Sequence, residues 1–230
     1  MENIIVVLDF DGTIALGERA KIKYSKEFFA LKVDNRHITR DTYPLGREKY
    51  EQLMKYVTTQ GIMEFDLERG VGRFLRKLYS EGFRFAIVTS RHDTPERPEL
   101  SACIRYCRHH GLPIDYFHNT NDLPKNVICD RLHARAIIDD TLKKLLELRG
   151  TSLELFFLTQ TWNSHEHSQA YRTPEIKVVR SWKEFYKGMV KLKERHEFIA
   201  RKLGISNSWN NLSKIVHYEC QHPEDFKRFL

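Results

Sequence analysis

Short apolar runs alternate with segments of helical periodicity along most of this sequence. The first run, Ile4–Leu8, is rich in β-branched residues, and the turn signal Asp11-Gly12 follows it closely. A short, uninterrupted apolar run is typical of a strand that is buried on both faces of a parallel sheet. Four later runs predict further strands of that sheet: Phe83–Val88, Ala134–Ile138, Leu153–Leu158 and Ile176–Val179.

The segments between these runs predict helices. Apolar residues recur at helical spacing over residues 67–78, ahead of Gly82, and similar segments end at Gly111 and Gly150. Ser181 is the expected N-cap of a further helix. Strands that alternate with helices predict an α/β fold, a doubly wound parallel sheet with helices on both faces. Such sheets bind ligands beyond the carboxyl ends of their strands, so we expect the reactive residues directly after the strands.

One long segment interrupts this alternation. It holds Tyr50, Leu53 and Val57 at helical spacing, together with many basic and aromatic residues. We interpret it as a mostly helical cap inserted after the first strand; the alternative is an extra helical layer at the sheet edge. The chain then divides into a catalytic core of residues 1–14 and 67–190, a cap of residues 15–66 and a helical C-terminal extension of residues 191–230.

Composition narrows the class of protein. The chain has 230 residues, of which 41% are apolar and 30% charged, and this balance suits a folded globular protein. Its apolar runs are too short to cross a bilayer, and no basic leader precedes the first strand. With four cysteines and no export signal, the chain is expected to be cytoplasmic, and the short apolar runs predict no membrane partner. The net charge of +7 favours anionic ligands, either phosphorylated small molecules or nucleic acid.

The segment Asp9-Phe10-Asp11-Gly12-Thr13 directly follows the first predicted strand. Two carboxylates separated by one residue can face one ligand where the chain turns, and Gly12 permits that turn. Phosphoryl transfer to a carboxylate needs an anionic nucleophile, a cation that offsets charge repulsion, and a second carboxyl group that moves protons. The alternative is a simple turn at Asp11-Gly12, with Asp9 as a cap.

Two further strand ends carry groups that suit phosphate chemistry. Thr89-Ser90 places hydroxyl and backbone N–H groups after a predicted strand, where they can bind phosphate oxygens. Asp139-Asp140 follows a buried apolar run, and burying two unpaired acids is costly unless a cation lies between them. Hard oxygen ligands favour Mg²⁺. One of the two acids, though not both, is also explained as the cap of the following helix.

In order and spacing, these motifs resemble those of the haloacid dehalogenase superfamily of aspartate-nucleophile phosphatases. The match comprises Asp9–Thr13, the apolar strand before Thr89, and the apolar strand before Asp139-Asp140. The long interval between the first two motifs resembles members whose cap is inserted after the first strand. The resemblance implies a Rossmann-like core and a reaction that uses Mg²⁺.

Roles for the acidic residues follow from this resemblance. Asp9 would attack phosphorus and form an aspartyl-phosphate, while Asp11 would protonate the leaving group and then activate the hydrolytic water. Asp9, the backbone carbonyl of Asp11 and one acid of the pair Asp139-Asp140, preferentially Asp139, would hold Mg²⁺.

The resemblance also implies contacts to the transferred phosphoryl group. Thr89 would donate a hydrogen bond to it, assisted by Ser90. The third motif of the family is a lysine that neutralises phosphate charge. Lys125 is the candidate for it, with Arg131 and Arg135 as competitors.

Substrate identity depends on weaker patterns. Three features resemble the 5′(3′)-deoxyribonucleotidase family: Thr89-Ser90, Ile137-Ile138-Asp139-Asp140, and Phe157-Leu-Thr-x-x-x-Asn163 followed later by Arg180-Ser181-Trp182. This resemblance implies a nucleoside monophosphate as substrate, with Phe28, Phe29 or Tyr43 stacking on the base; core packing is the alternative for each aromatic residue. Arg91 and Arg47 are predicted to contact substrate anions.

The sequence therefore predicts a magnesium-dependent phosphomonoester hydrolase that acts on a small phosphorylated metabolite such as a nucleoside monophosphate. Two alternatives belong to other classes: a phosphatase of nucleic-acid ends, which the net charge favours, and a non-catalytic phosphate-binding or regulatory module. Transfer to an acceptor other than water is a third, because the motifs define the nucleophile and not the acceptor.

Overall fold

Strands and helices alternate along the chain. The computed structural model describes residues 4–121, 123–205 and 214–215. The strands are β1 (Ile4–Leu8), β2 (Ala15–Leu16), β3 (Asp66–Leu67), β4 (Phe83–Thr89), β5 (Asp93–Thr94), β6 (Arg97–Pro98), β7 (Tyr116–Asn119), β8 (Ala136–Asp139), β9 (Glu154–Leu158) and β10 (Ile176–Val179). The helices are α1 (Glu18–Phe29), α2 (Gly46–Val57), α3 (Val71–Ser80), α4 (Glu99–His109), α5 (Lys125–Arg131), α6 (Leu142–Leu146), α7 (His167–Tyr171) and α8 (Trp182–Lys202), with 3₁₀ turns at Gly61–Glu64 and Ser164–Glu166.

Six of these strands form one parallel sheet in the order β10-β9-β8-β1-β4-β7. β1 lies inside the sheet, with Leu8 level with Ile87 of β4 on one side and with Ile138 of β8 on the other. The chain leaves β1 first toward β4 and β7, and later returns to β8, β9 and β10 on the opposite side. This reversal makes the carboxyl end of β1 the switch point at which such sheets bind ligands.

Alternate residues of the strands face two separate hydrophobic clusters. Val6 and Leu8 pack in a cluster with buried side chains of α3, α4 and α8. Val7, between them, packs in a second cluster with side chains of α5, α6 and α7. Because strand residues alternate between faces, this division shows that helices cover both sides of the sheet. The predicted doubly wound α/β fold is confirmed.

Individual elements differ from the sequence prediction in places. β7 was not predicted, because Tyr116-Phe-His-Asn119 is not an apolar run and Tyr116 is 45% exposed. Residue 67 lies in β3, and α3 begins only at Val71, after Gly70 adopts a positive φ of 90°. The N-cap prediction is confirmed, since the Ser181 side chain accepts a hydrogen bond from the backbone N–H of Glu184.

The inserted segment contains α1, α2 and a 3₁₀ turn, and the antiparallel pair β2–β3 brings its two ends together. Its buried residues Tyr24, Leu53 and Val57 belong to the same hydrophobic cluster as one face of the sheet. The segment therefore packs directly on the core, and its role as a cap stays a prediction.

The predicted C-terminal extension begins inside α8, which continues without a break past residue 191 to Lys202. Residues 206–213 and 216–230 of that extension lie outside the described residues. None of the helices that the structure describes combines the length and the apolar composition needed to span a membrane.

Candidate active site

Three predicted site residues lie at the carboxyl ends of three adjacent strands. Asp9 follows β1, Thr89 ends β4 and Asp139 ends β8. The backbone N–H of Asp9 donates a hydrogen bond of 3.0 Å to the carbonyl of Ile138, so the first residue after β1 is held level with β8. All three residues are at least 98% buried: they are 2%, 2% and 0% exposed.

Two lysines hold the Asp9 carboxylate. Lys125, at the first position of α5, donates hydrogen bonds of 2.9 Å to Asp9 Oδ1 and to Asp139 Oδ2, and so joins the two acids. Lys144, on α6, lies 3.2 Å from the same Asp9 oxygen and 3.9 Å from Asp139 Oδ1. Thr141 completes the surroundings of Asp139 with a backbone N–H bond of 2.9 Å to Oδ1.

Asp140 turns toward the loop that follows β9. Its Oδ2 accepts a hydrogen bond of 2.8 Å from the indole N–H of Trp162. Asn163 anchors this loop by donating to the carbonyls of Asp140 and Leu158, at 2.7 and 2.9 Å. Gly12 lies against the same carboxylate, since a Cβ built on it would be 2.0 Å from Asp140 Oδ2. The loop and Gly12 thus fix Asp140 beside the other acids.

Asp9, Asp139 and Asp140 form a cluster that suits a divalent cation. One carboxylate oxygen from each lies within 4.8 Å of the others, and all three residues are buried. An all-oxygen donor set favours a hard cation such as Mg²⁺, Mn²⁺ or Ca²⁺.

The charges of this cluster are unevenly balanced without a cation. Burial acts to raise the pKa of Asp9, but the ammonium groups of Lys125 and Lys144 outweigh it and hold that pKa below its ordinary value. Burial, with the charge of Asp9 next, raises the pKa of Asp139. Burial and then the charges of Asp9 and Asp139 raise the pKa of Asp140 to about 8. Asp9 is therefore kept ionised, while its two acidic neighbours favour protonation until a cation joins them.

Asp11 lies in a different environment, next to Arg91. The guanidinium donates two hydrogen bonds to the Asp11 carboxylate, from Nε at 3.0 Å and from Nη2 at 2.8 Å. Its third nitrogen, Nη1, donates to the backbone carbonyl of Thr58, at the end of α2, at 2.9 Å. Arg91 also lies 4.7 Å from the ring centre of Phe10 and is only 3% exposed. A buried arginine thus connects Asp11 to the inserted segment.

A second acid extends this connection. Glu99, buried at the start of α4, accepts hydrogen bonds of 3.0 Å from the Thr58 hydroxyl and from the backbone N–H of His92. Arg97 pairs with the same carboxylate at 2.7 Å. The end of α2, the loop after β4 and the start of α4 are therefore joined through polar contacts next to Asp11.

The remaining predicted residues are not all brought to this site. Ser90 is exposed directly after Thr89, at the mouth of the site. Arg47 lies on the exposed side of α2, where it pairs with Glu51 at 2.9 Å and, within the described residues, contacts none of the clustered acids. Because all three guanidinium nitrogens of Arg91 bind protein groups, substrate contact by Arg91 stays a prediction.

Neither competitor of Lys125 lies among the clustered acids. Arg131 is exposed at the end of α5, and the buried Arg135 contacts His196 at 2.9 Å. Of the aromatic residues proposed to stack on a base, Tyr43 is buried and donates a hydrogen bond to Ser25. Phe29 is partly buried against the core, whereas Phe28 is 44% exposed.

Sequence reasoning missed Lys144 and Trp162. The sequence does contain an indication for Lys144. It follows Asp140 by about one helical turn, and the first turn of that helix lies at the carboxyl ends of the strands. There is none for Trp162, since its contact with Asp140 depends on how the loop after β9 folds back.

Comparisons with solved structures identify the fold. A predicted phosphatase from Clostridium acetobutylicum superposes with a TM-score of 0.61 at 17% identity, covering 83% of this chain and 100% of that one. D,D-heptose 1,7-bisphosphate phosphatase from Burkholderia thailandensis gives 0.51 at 13%, covering 82% and 99%. A HAD-superfamily hydrolase of subfamily IA from Geobacter sulfurreducens gives 0.53 at 11%, covering 80% and 94%. No protein-family model matches the sequence, and no curated protein matches it either.

The chain shares the fold of these proteins, among them a solved HAD-superfamily hydrolase, and the predicted resemblance to the haloacid dehalogenase superfamily is confirmed at the level of the fold. At identities of 11–17%, these likenesses establish the architecture but do not identify a substrate. The resemblance to the 5′(3′)-deoxyribonucleotidase family stays a prediction.

Proposed function

We propose that this protein is a Mg²⁺-dependent phosphomonoester hydrolase that acts through an aspartyl-phosphate on Asp9. The observation that carries the proposal is the surroundings of Asp9: a buried carboxylate held by Lys125 and Lys144, with Asp139 and Asp140 within reach of a shared cation. A nucleophilic carboxylate must be anionic at neutral pH, and the lowered pKa of Asp9 meets that requirement.

Asp9, Asp139 and Asp140 would hold the metal ion through carboxylate oxygens, and the backbone carbonyl of Asp11 stays a predicted further ligand. The bound ion supplies positive charge that offsets the repulsion between an anionic nucleophile and a phosphate. The cluster fits this use, because three acids lie within 4.8 Å and two of them have raised pKa values without a cation.

The proposed reaction has two chemical steps. An oxygen of Asp9 attacks phosphorus, the bond from phosphorus to the leaving oxygen breaks, and Asp11 gives its proton to that oxygen. Water then attacks the same phosphorus and loses a proton to Asp11, the bond from Asp9 to phosphorus breaks, and phosphate leaves. Lys125 and Thr89 stabilise the equatorial oxygens in both steps. Asp11 must loosen its hydrogen bonds to Arg91 to carry the proton.

The substrate that we propose is a small phosphorylated metabolite. The superposable heptose bisphosphate phosphatase acts on such a molecule, and the net charge of +7 favours anions. A nucleoside monophosphate is one member of this class, for which the exposed ring of Phe28 offers a stacking surface. Three buried free cysteines, Cys103, Cys107 and Cys129, support a reducing, cytoplasmic setting.

The test is phosphate release from a panel of monoesters, with and without Mg²⁺, by the wild type and Asp9→Asn. The panel contains deoxyribonucleotides, sugar phosphates and 3′-phosphorylated oligonucleotides. We expect Mg²⁺-dependent turnover that Asp9→Asn lowers by at least on the order of 10³-fold. Asp130→Asn is the matched control, because Asp130 is exposed on α5, and it should leave turnover unchanged.

Three results would count against parts of the proposal. Turnover that persists in Asp9→Asn would exclude Asp9 as nucleophile. A folded wild type that binds Mg²⁺ but hydrolyses nothing in the panel would favour a phosphate-binding module. A strong preference for the oligonucleotides would instead support the nucleic-acid alternative.

A further inference from the structure

A cavity lies beside the proposed reaction centre, between α5 and α6. It has a volume of about 280 Å³, close to the lower limit for small-molecule sites. We call it the α5–α6 cavity. The polar residues that line it are Ser90, Thr120, Lys125, Asn126, Lys144 and Glu147.

The lining of the α5–α6 cavity suits an anion. Lys125 and Lys144 contribute two ammonium groups, while two hydroxyl groups and the amide of Asn126 contribute neutral donors. Glu147 is the one acid among the described residues that line it. Positive charge and hydrogen-bond donors therefore outnumber negative charge at this position.

The two lysines differ in how many hydrogen bonds they donate to the clustered acids and in how exposed they are. Lys125 donates two hydrogen bonds of 2.9 Å, and its side chain is 13% exposed. Lys144 makes one hydrogen bond among the described residues, of 3.2 Å, and its side chain is 37% exposed. An ammonium group has three N–H donors, so Lys144 retains donors for a ligand in the cavity.

The cavity adjoins the proposed reaction centre at Asp9, because Lys125 contacts Asp9 and also lines the cavity. Ser90, at its edge, directly follows Thr89, the predicted contact of the transferred group. Asp11, which would serve the leaving group, is held instead by Arg91 and the end of α2. The phosphorus of a monoester has one ester substituent, so a second anionic group would reach the cavity as part of the leaving group.

We propose that the α5–α6 cavity binds a second anionic group of the substrate, a phosphate or a carboxylate. The preferred substrates are then small phosphorylated molecules with two anionic groups. This inference rests on the proposed function and specifies its substrate class.

The experiment compares three six-carbon probes: glucose 6-phosphate, 6-phosphogluconate and glucose 1,6-bisphosphate. They carry, respectively, no second anionic group, a carboxylate and a second phosphate, so the last two distinguish the two kinds of anion. The readout is kcat/KM of each probe that has a second anionic group, relative to kcat/KM of glucose 6-phosphate. We expect this ratio to exceed one for at least one of the two in the wild type.

Two variants of matched size change the charge of the cavity. Asn126→Asp adds a negative charge and should lower the ratio by about fivefold, whereas Glu147→Gln removes one and should raise it by a similar factor. Lys143→Gln is the control: Lys143 is exposed on α6, does not line the cavity, and its replacement changes the net charge by the same amount as Asn126→Asp. It should leave the ratio within twofold.

The inference and the proposed function fail in different ways. Hydrolysis of glucose 6-phosphate with a ratio near one that neither cavity variant moves would overturn the inference and leave the proposed function intact. A higher kcat/KM for a 3′-phosphorylated oligonucleotide than for all three probes would also overturn it. If no probe is hydrolysed, binding of the probes is measured by calorimetry. A probe with a second anionic group that binds more tightly than glucose 6-phosphate, and whose binding Asn126→Asp weakens, supports the cavity assignment. Equal binding of the three probes overturns it.

Discussion

The two acids of the first motif are separated by one residue but lie in contrasting regions of the site. Asp9 is 2% exposed, and two lysines from α5 and α6 contact it at the sheet edge. The side chain of Asp11 is 48% exposed and is paired with Arg91. After the roles proposed for Asp9 and Asp11, we call these the nucleophile region and the proton-transfer region.

The difference concerns what fixes each group. The nucleophile region is built from strand ends and the first turns of two helices, all on the core, so its charges are in place before substrate binds. The proton-transfer region is held through Arg91 to the carbonyl of Thr58, which belongs to the inserted segment. The position of Asp11 therefore depends on how that segment packs, whereas the position of Asp9 does not.

Among the changes that test this comparison of the two regions, the largest effect is expected at Gly12, which lies next to Asp11 and against Asp140. Gly12→Ala places a methyl group where Asp140 Oδ2 lies 2.0 Å away, on a backbone with φ of +78°. We expect kcat/KM to fall by on the order of 10²- to 10³-fold, because both Asp140 and the turn after Asp9 must move. Steady-state kinetics and thermal melting check this.

Gly150→Ala is the matched control. Gly150 has a φ of +79°, and a Cβ built on it meets no atom within 4 Å. It should show only the backbone strain of about 1–2 kcal/mol, with unchanged kinetics. Equal kinetics in the two variants would mean that the contact between Gly12 and Asp140 has no part in catalysis.

The second expected effect tests the nucleophile region through pH. In the metal-free protein, burial and the charges of Asp9 and Asp139 raise the pKa of Asp140 from 3.8 to about 8. Between these values the folded protein keeps a proton that the unfolded chain has lost, so the free energy of unfolding falls as pH rises. We expect a loss on the order of a few kcal/mol between about pH 4 and pH 8.

Thermal melting in a chelator measures this loss. Mg²⁺ should restore stability at the upper end of the window, since it binds the folded cluster. Asp140→Asn should flatten the pH dependence, whereas Asp130→Asn, on the exposed side of α5, should keep it. Melting of the metal-free wild type that does not change with pH would contradict the charge balance described for the cluster.

The nucleophile region could largely be predicted from the sequence. Asp9, Thr89 and Asp139 each follow an apolar run, and parallel strands bring such positions to one edge of a sheet. Lys125 was identified through a family resemblance, and the fold carries it to Asp9. The doubly wound sheet follows from the same alternation of apolar runs and helical segments.

The proton-transfer region could not be predicted in the same way. The pair between Arg91 and Asp11 joins residues 80 positions apart, and Thr58 is a further 33 positions from Arg91. No periodicity specifies such contacts, because they depend on the packing of the inserted segment against α4. The sequence predicts a substrate contact for Arg91, which stays a prediction, and it gives no sign of the three hydrogen bonds that the guanidinium donates to Asp11 and Thr58.

Among the changes that test this comparison of the two regions, the smallest effect is expected for Arg91→Lys, which tests whether Arg91 positions Asp11. Lysine keeps the positive charge but cannot make two hydrogen bonds to Asp11 and a third to Thr58 in one plane. We expect kcat/KM to fall about tenfold for alkyl phosphates, whose leaving group needs a proton, since general acids contribute about 10²- to 10⁴-fold. For p-nitrophenyl phosphate, whose leaving group is stable as an anion, the decrease should stay within about threefold.

The dependence on the leaving group separates positioning from a purely structural role, because kcat/KM includes the step in which that group departs. Asp11→Asn should show the same dependence with a larger amplitude. Arg108→Lys, on the exposed side of α4, should leave kcat/KM unchanged for both kinds of substrate. Equal losses of kcat/KM for alkyl and aryl phosphates in Arg91→Lys would show that the arginine supports the fold but not the proton transfer. The contact of Arg91 with the inserted segment would then have no effect on the reaction.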